Sequence, residues 1–99
     1  MDPCTITLTW SDEDQVFVAE APGLPGCMAH GASRHEALIS LREDVALWLE
    51  TATAANRPPP PEVVAGLAAA IDGLLDQEER QLRERRTTLL AQIAAFEAR

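Results

Sequence analysis

The sequence predicts an α+β fold: a small antiparallel sheet of three to four strands with one packed helix, followed by a helical arm or helical hairpin. Three observations carry this prediction. Two runs between Cys4 and Ala21 alternate apolar and polar residues or are β-branched, the habit of half-buried strands. Apolar residues then recur at three- and four-residue steps from about Arg34 to Ala55, the spacing of one helix face. Four consecutive prolines, Pro58 to Pro61, divide that helix from a tail made of helix formers.

The first strand is CTITLTW. Cys4, Ile6, Leu8 and Trp10 share its inward face, and Thr5, Thr7 and Thr9 share the other. Asp12, Glu13 and Asp14 then favour a turn, and VFVAEA, Val16 to Ala21, returns as the second arm of a hairpin. In APGLPGCMAHG, Pro22 and Pro25 cannot donate to a sheet ladder, while Gly23 and Gly26 permit unusual backbone angles. This connection swings the chain round and returns it as a third strand, Cys27 to His30. Ser33 and Glu36 match a capping box at a helix start. Behind them Ala37, Leu38, Leu41, Val45, Trp48, Leu49 and Ala52 form the buried stripe.

Asn56, Arg57 and the prolines end that helix and leave a stiff spacer or a short edge strand. The chain thus divides into a sheet-and-helix domain over 1–57, a spacer over 58–61 and a helical arm over 62–99. One continuous helix from Glu62 would span roughly 55 Å, more than the preceding domain can cover. The tail is therefore expected either to fold back as two helices or to pack on another chain. Val64, Leu67, Ile71 and Leu74 make a coiled-coil-like seam, and Leu75, Leu82, Leu89 and Phe96, joined by Ile93, make a second series offset by one. The offset predicts a stutter or bend near Asp76 to Arg80. Leu67, Ile71, Leu74, Leu82, Leu89, Ile93 and Phe96 are the candidates for helix packing and oligomer formation. Gly66 and Gly73 share a face of this helix, and close approach of another segment would offset their low helix propensity.

The formal net charge is −8, with sixteen acidic side chains against eight basic ones, all arginine. Residues 1–57 carry nine acids and three arginines. Nucleic acid and anionic membranes repel such a surface, whereas a basic protein is drawn to it. Asp12, Glu13, Asp14 and Glu20 are the candidate contacts for that partner. The start Met1-Asp2-Pro3 lacks a basic region and no long apolar run occurs, so a cytoplasmic protein with reduced thiols at Cys4 and Cys27 is expected.

No catalytic, cofactor or metal site is expected. The glycine-rich stretch lacks the Lys and Ser/Thr of a phosphate loop, and the chain has no lysine at all. Cys27 and His30 fall on opposite strand faces, against zinc geometry. The acidic turn lacks the glycine and closing glutamate of a calcium loop. With Glu20 the lone acid inside a strand, the carboxylate cluster of a two-metal nuclease is not assembled. Arg80, Arg83, Arg85 and Arg86 alternate with Glu78, Glu79 and Glu84, the habit of a salt-bridged helix surface.

TITLTW, an acidic turn, VFVAEAPGLPGCMAHG, then SRHEAL and a helix ending in ALWLE resembles the HicB family of antitoxins over about Cys4 to Pro61. The resemblance implies a β-β-β-α-(β) domain, a truncated ribonuclease-H-like fold without catalytic acids. It implies a partner too: a small, basic, mRNA-cleaving toxin of the HicA type, whose active site the antitoxin blocks. Many family members add a C-terminal ribbon-helix-helix or helix-turn-helix domain that binds their promoter. Residues 62–99 match neither pattern, so DNA binding is not expected of this chain. Two functions compete at this point. One is toxin neutralisation by a homodimer or higher homo-oligomer; the other is an orphan oligomeric scaffold that shares the fold and has no toxin.

Overall fold

The computed structural model describes residues 2–98. Its elements run β1 (Thr7–Ser11), β2 (Val16–Glu20), β3 (Met28–Gly31), α1 (Arg34–Ala54) and α2 (Pro61–Glu97). The α+β class stands, with a three-stranded antiparallel sheet in the order β1-β2-β3. Among the described residues the prolines add no fourth strand: Pro58 to Pro60 are irregular and Pro61 opens α2. Its ring presets φ for a first helical turn, where no amide donor is needed.

Pairing fixes which residues share a face. Leu8 lies opposite Ala19, and Ala19 opposite Ala29. These residues face the core, where Ala19 and Ala29 are buried with Leu38, Leu41, Leu67 and Ile71. Small alanines at the sheet centre let α1 approach β2 and β3 closely. The opposite face, with Thr7, Thr9, Val16, Val18, Glu20, Met28 and His30, has no helix over it.

The loop that bends the chain is itself part of the core. The Leu24 amide donates to Ala21 O and the Cys27 amide to Leu24 O, two consecutive turns that drive Leu24 inward to 1% exposure. Cys27 O still accepts from the Ala21 amide, as the next rung of the β2–β3 ladder would, but the Cys27 amide is spent on Leu24 O, so the reciprocal bond is missing and β3 starts one position later than the alternation predicts. Gly26, at φ +79, takes the left-handed third position of the second turn, after Pro25.

The capping signals act where the sequence places them. Ser33 Oγ accepts from the Glu36 amide at 3.1 Å. Glu36 reaches one residue further back than a standard capping box and accepts from the Ala32 amide at 3.0 Å. At the other end Asn56 adopts φ +62, its amide donates to Thr53 O and the Arg57 amide to Ala52 O. That is a Schellman stop with asparagine in the left-handed position.

The tail is one unbroken helix, so the helical hairpin does not form and the helix runs without a break through Asp76 to Arg80. Three polar contacts mark its register on α1: the ion pairs Arg34–Glu78 at 2.7 Å and Arg42–Asp72 at 4.0 Å, and the contact between His35 Nε2 and Glu79 Oε1 at 3.4 Å. As the number falls on one helix it rises on the other, so the two run antiparallel. Exposed pairs of this kind add little stability, yet they report alignment. Because α1 begins at Arg34, α2 runs out of partner at about residue 79. Beyond it α2 continues for about 27 Å at 1.5 Å per residue. The protrusion gives a radius of gyration of 17.4 Å and a long axis of 66 Å, against about 13 Å for a compact chain of this size.

The two apolar series are therefore one stripe. Leu67, Ile71 and Leu75 are buried on the body and Leu74 is partly buried beside them. The body contact is wide enough to take both Leu74 and Leu75, which accounts for the one-residue offset within a continuous helix.

Gly66 and Gly73 part company. A Cβ on Gly66 would overlap the Cys4 thiol, which lies against the first turns of α2 with Sγ 3.7 Å from Val63 O. Gly73 is exposed, and a Cβ there would meet no atom within 4 Å. Gly73→Ala should therefore raise stability by about 0.5–1 kcal/mol. Gly66→Ala gains the same propensity but pushes the thiol from its place, so its urea midpoint should not rise. Equal gains at the two positions would show that Cys4 does not pack there.

Candidate protein-binding surfaces

The acidic turn is a preorganised feature. Four residues, Asp12 to Gln15, join β1 to β2, and Gln15 takes φ +57 to close the loop. Asp12 Oδ1 accepts from the Trp10 indole at 2.8 Å, Gln15 Nε2 donates to Asp12 O, and the Asp14 amide donates to Ser11 Oγ. All three carboxylates are exposed. Glu20 is not among them. It ends the central strand β2, about 13 Å along that strand from Val16, where the turn enters it. The four candidate contacts thus bracket the open sheet face rather than forming one patch, with Val16, Val18 and the 44%-exposed Met28 between them.

The helix-packing candidates separate as well. Leu67, Ile71 and Leu74 serve the chain's own body, whereas Leu82, Leu89, Ile93 and Phe96 stand on the free arm, each at least half exposed. Leu90, absent from both sequence series, is exposed beside them. Trp10 does not reach the core. It sits at the sheet's end, 47% exposed, packed edge-on against Phe17 with ring centroids 4.9 Å apart. Trp48 is partly buried against the core, and its indole donates to Pro25 O at 2.9 Å.

Two concavities flank these features. A trough of about 680 Å³ lies between the loop and α1, lined by Pro25, Cys27, Leu47 and Trp48 with Asp44 and Arg57 at its margins. A notch of about 370 Å³ lies where the arm leaves the body, between Phe17, Ala32, Leu82 and Arg85. Burial, with Asp44 nearby, pushes the Cys27 thiol up from its ordinary value, and desolvation with help from Asp2 does the same to Cys4. Both are free thiols. Among the described residues no three His, Cys, Asp or Glu side chains converge to hold a metal ion. No described helix is long and apolar enough to cross a membrane.

The charge division falls at a place that composition by halves hides. Before residue 80 the chain carries fourteen acids and three arginines, a net of −11; from residue 80 onward it carries two acids and five arginines, a net of +3. The sign changes where α2 leaves α1. The body is acidic and the arm is basic.

Comparison with known proteins gives two relatives. The chain is 38% identical over 47 residues to the UPF0150 protein Ta0767 of Thermoplasma acidophilum, a match spanning 48% of this chain and 67% of that protein. It is 48% identical over 44 residues to the UPF0150 protein ssl0259 of Synechocystis, spanning 44% of this chain and 60% of that one. No family model matches the chain. No solved structure matches it either.

Proposed function

From the premise that the chain belongs to the UPF0150 family, we propose that it is a non-catalytic protein-binding module, an antitoxin of the HicB type. Its partner is a small basic ribonuclease, and it acts by covering that enzyme's surface rather than by turning over a substrate. One observation carries the reading most: a body of net −11 that leaves one whole sheet face without a helix. On that face half-buried valines and an exposed methionine supply apolar area, and carboxylates stand at both ends. Apolar centre with charged rim is the layout of a surface that buries another protein. The rim charges steer encounter with a cationic partner and the apolar centre sets its lifetime.

The test is co-purification with the small basic product of a neighbouring reading frame, followed by an RNA-cleavage assay. Cleavage should stop at a stoichiometric amount of this chain. Cleavage that persists in excess chain, or the absence of any complex, refutes the reading. The competing function, an orphan scaffold, is favoured by the uncovered arm, and it is what remains if no toxin binds but the chains self-associate.

A further inference from the structure

We infer that two copies of this chain pair through their arms, antiparallel, each arm's tip seated in the notch at the root of the other. This pairing does not rest on the antitoxin reading. The first ground is spacing. Leu82, Leu89 and Phe96 are seven residues apart and lie on nearly one line of the helix. A two-fold axis at Leu89 brings Leu89 against its own copy and Leu82 against Phe96 of the second copy, twice. Ile93 then lies beside the stem of Arg86 of the second copy. A stripe symmetric about its own midpoint suits an isologous contact.

Position is the second ground. With the axis at Leu89, Phe96 of one copy falls opposite Leu82 of the other, beside the notch that Leu82 and Phe17 line. The exposed Trp10–Phe17 pair stands at that end of the sheet.

Charge is the third ground, and it selects the direction. Residues 80–86 hold four arginines and one glutamate, a net of +3, while residues 87–97 hold only Glu97. Parallel pairing would set the +3 roots against each other. Antiparallel pairing sets each root against the other tip and brings Glu97 to the side of the root that holds Arg83 and Arg86. Thr87 and Thr88 add no obstacle, because their hydroxyls already donate to Arg83 O and Glu84 O of the same helix. The same charge pattern makes a basic partner a poor occupant of the arm, so self-association and partner binding use different surfaces.

Light scattering over a wide concentration range should show a monomer–dimer equilibrium. Leu89→Asp, at a fully helical and half-exposed position, should keep the circular dichroism spectrum and raise the dissociation constant at least about a hundredfold, since two carboxylates would meet at the axis. Direction is read by oxidative cross-linking, with the unsubstituted chain as control for Cys4 and Cys27. The double variant Leu82→Cys/Phe96→Cys should give a covalent dimer, and the two single variants should not. A chain that stays monomeric at every concentration overturns the proposal and leaves the stripe to a different protein. Cross-linking of the single variants overturns the antiparallel direction. In either event the toxin-binding assay with Leu89→Asp stands apart, since that residue lies outside the body.

Discussion

Replacing Ile71 with alanine should lower the melting temperature by roughly 10 to 30 °C, whereas Ile93→Ala should leave it nearly unchanged in dilute protein. The two residues occupy one stripe of one helix, yet Ile71 is 1% exposed and Ile93 is 54% exposed. Truncating a buried isoleucine costs about 2–5 kcal/mol, the transfer of the lost methyl groups plus the cavity left behind. In a domain of this size each kcal/mol shifts melting by about 4–8 °C. The body has few large side chains to close such a cavity: its fully buried large residues are Leu24, Leu38, Leu41, Leu67 and Ile71. Ile71 sits among them between α1 and the first half of α2, so its loss loosens both. On the arm no cavity forms, because nothing in the chain covers the side chain. The measurement is a pair of thermal melts monitored by circular dichroism at low concentration. Equal destabilisation by the two variants would mean that the arm folds back on the body.

That contrast also marks how far the sequence could be read. The strands, α1 and its stops were legible because each rests on local chemistry: alternation in TITLTW, the cap at Ser33 and Glu36, the left-handed Asn56 before four prolines. Cys27 leaves the strand because its amide donates to Leu24 O within the turn instead of returning to Ala21 O, a local bond that alternation does not encode. The tail's continuity was open for a different reason. Its apolar period records which side faces a neighbour, not whose surface the neighbour is. Only the antiparallel register on α1 shows that partner contact ends near residue 79. The charge boundary at residue 80 was present in the letters all along, but a division at the prolines averaged it away. Parity puts Trp10 at the end of the inward face and leaves core and rim both open, because parity says nothing of where a sheet ends; its 47% exposure makes it rim.

Neutralising the acidic turn by Asp12→Asn, Glu13→Gln and Asp14→Asn should slow association with a basic partner by about tenfold at low salt and leave the dissociation rate nearly unchanged. The substitutions are close to isosteric, and Asp12→Asn keeps the side-chain carbonyl that accepts from the Trp10 indole. Three charges leave a body of net −11, and they leave it from an exposed tip where field lines reach far into solvent. Because these groups stand at the rim, their attraction acts over approach rather than in the desolvated contact. Screening then gives the decisive control. At 1 M ionic strength the Debye length is about 3 Å, so the two proteins should associate at the same rate. Stopped-flow association across a salt series reads both limbs of the expectation. A tenfold loss that persists at high salt would place the turn inside the buried contact, and equal rates at low salt would remove it from the encounter. The first outcome would centre the buried contact on the turn; the second would move it towards Glu20 and Met28 or off the open face.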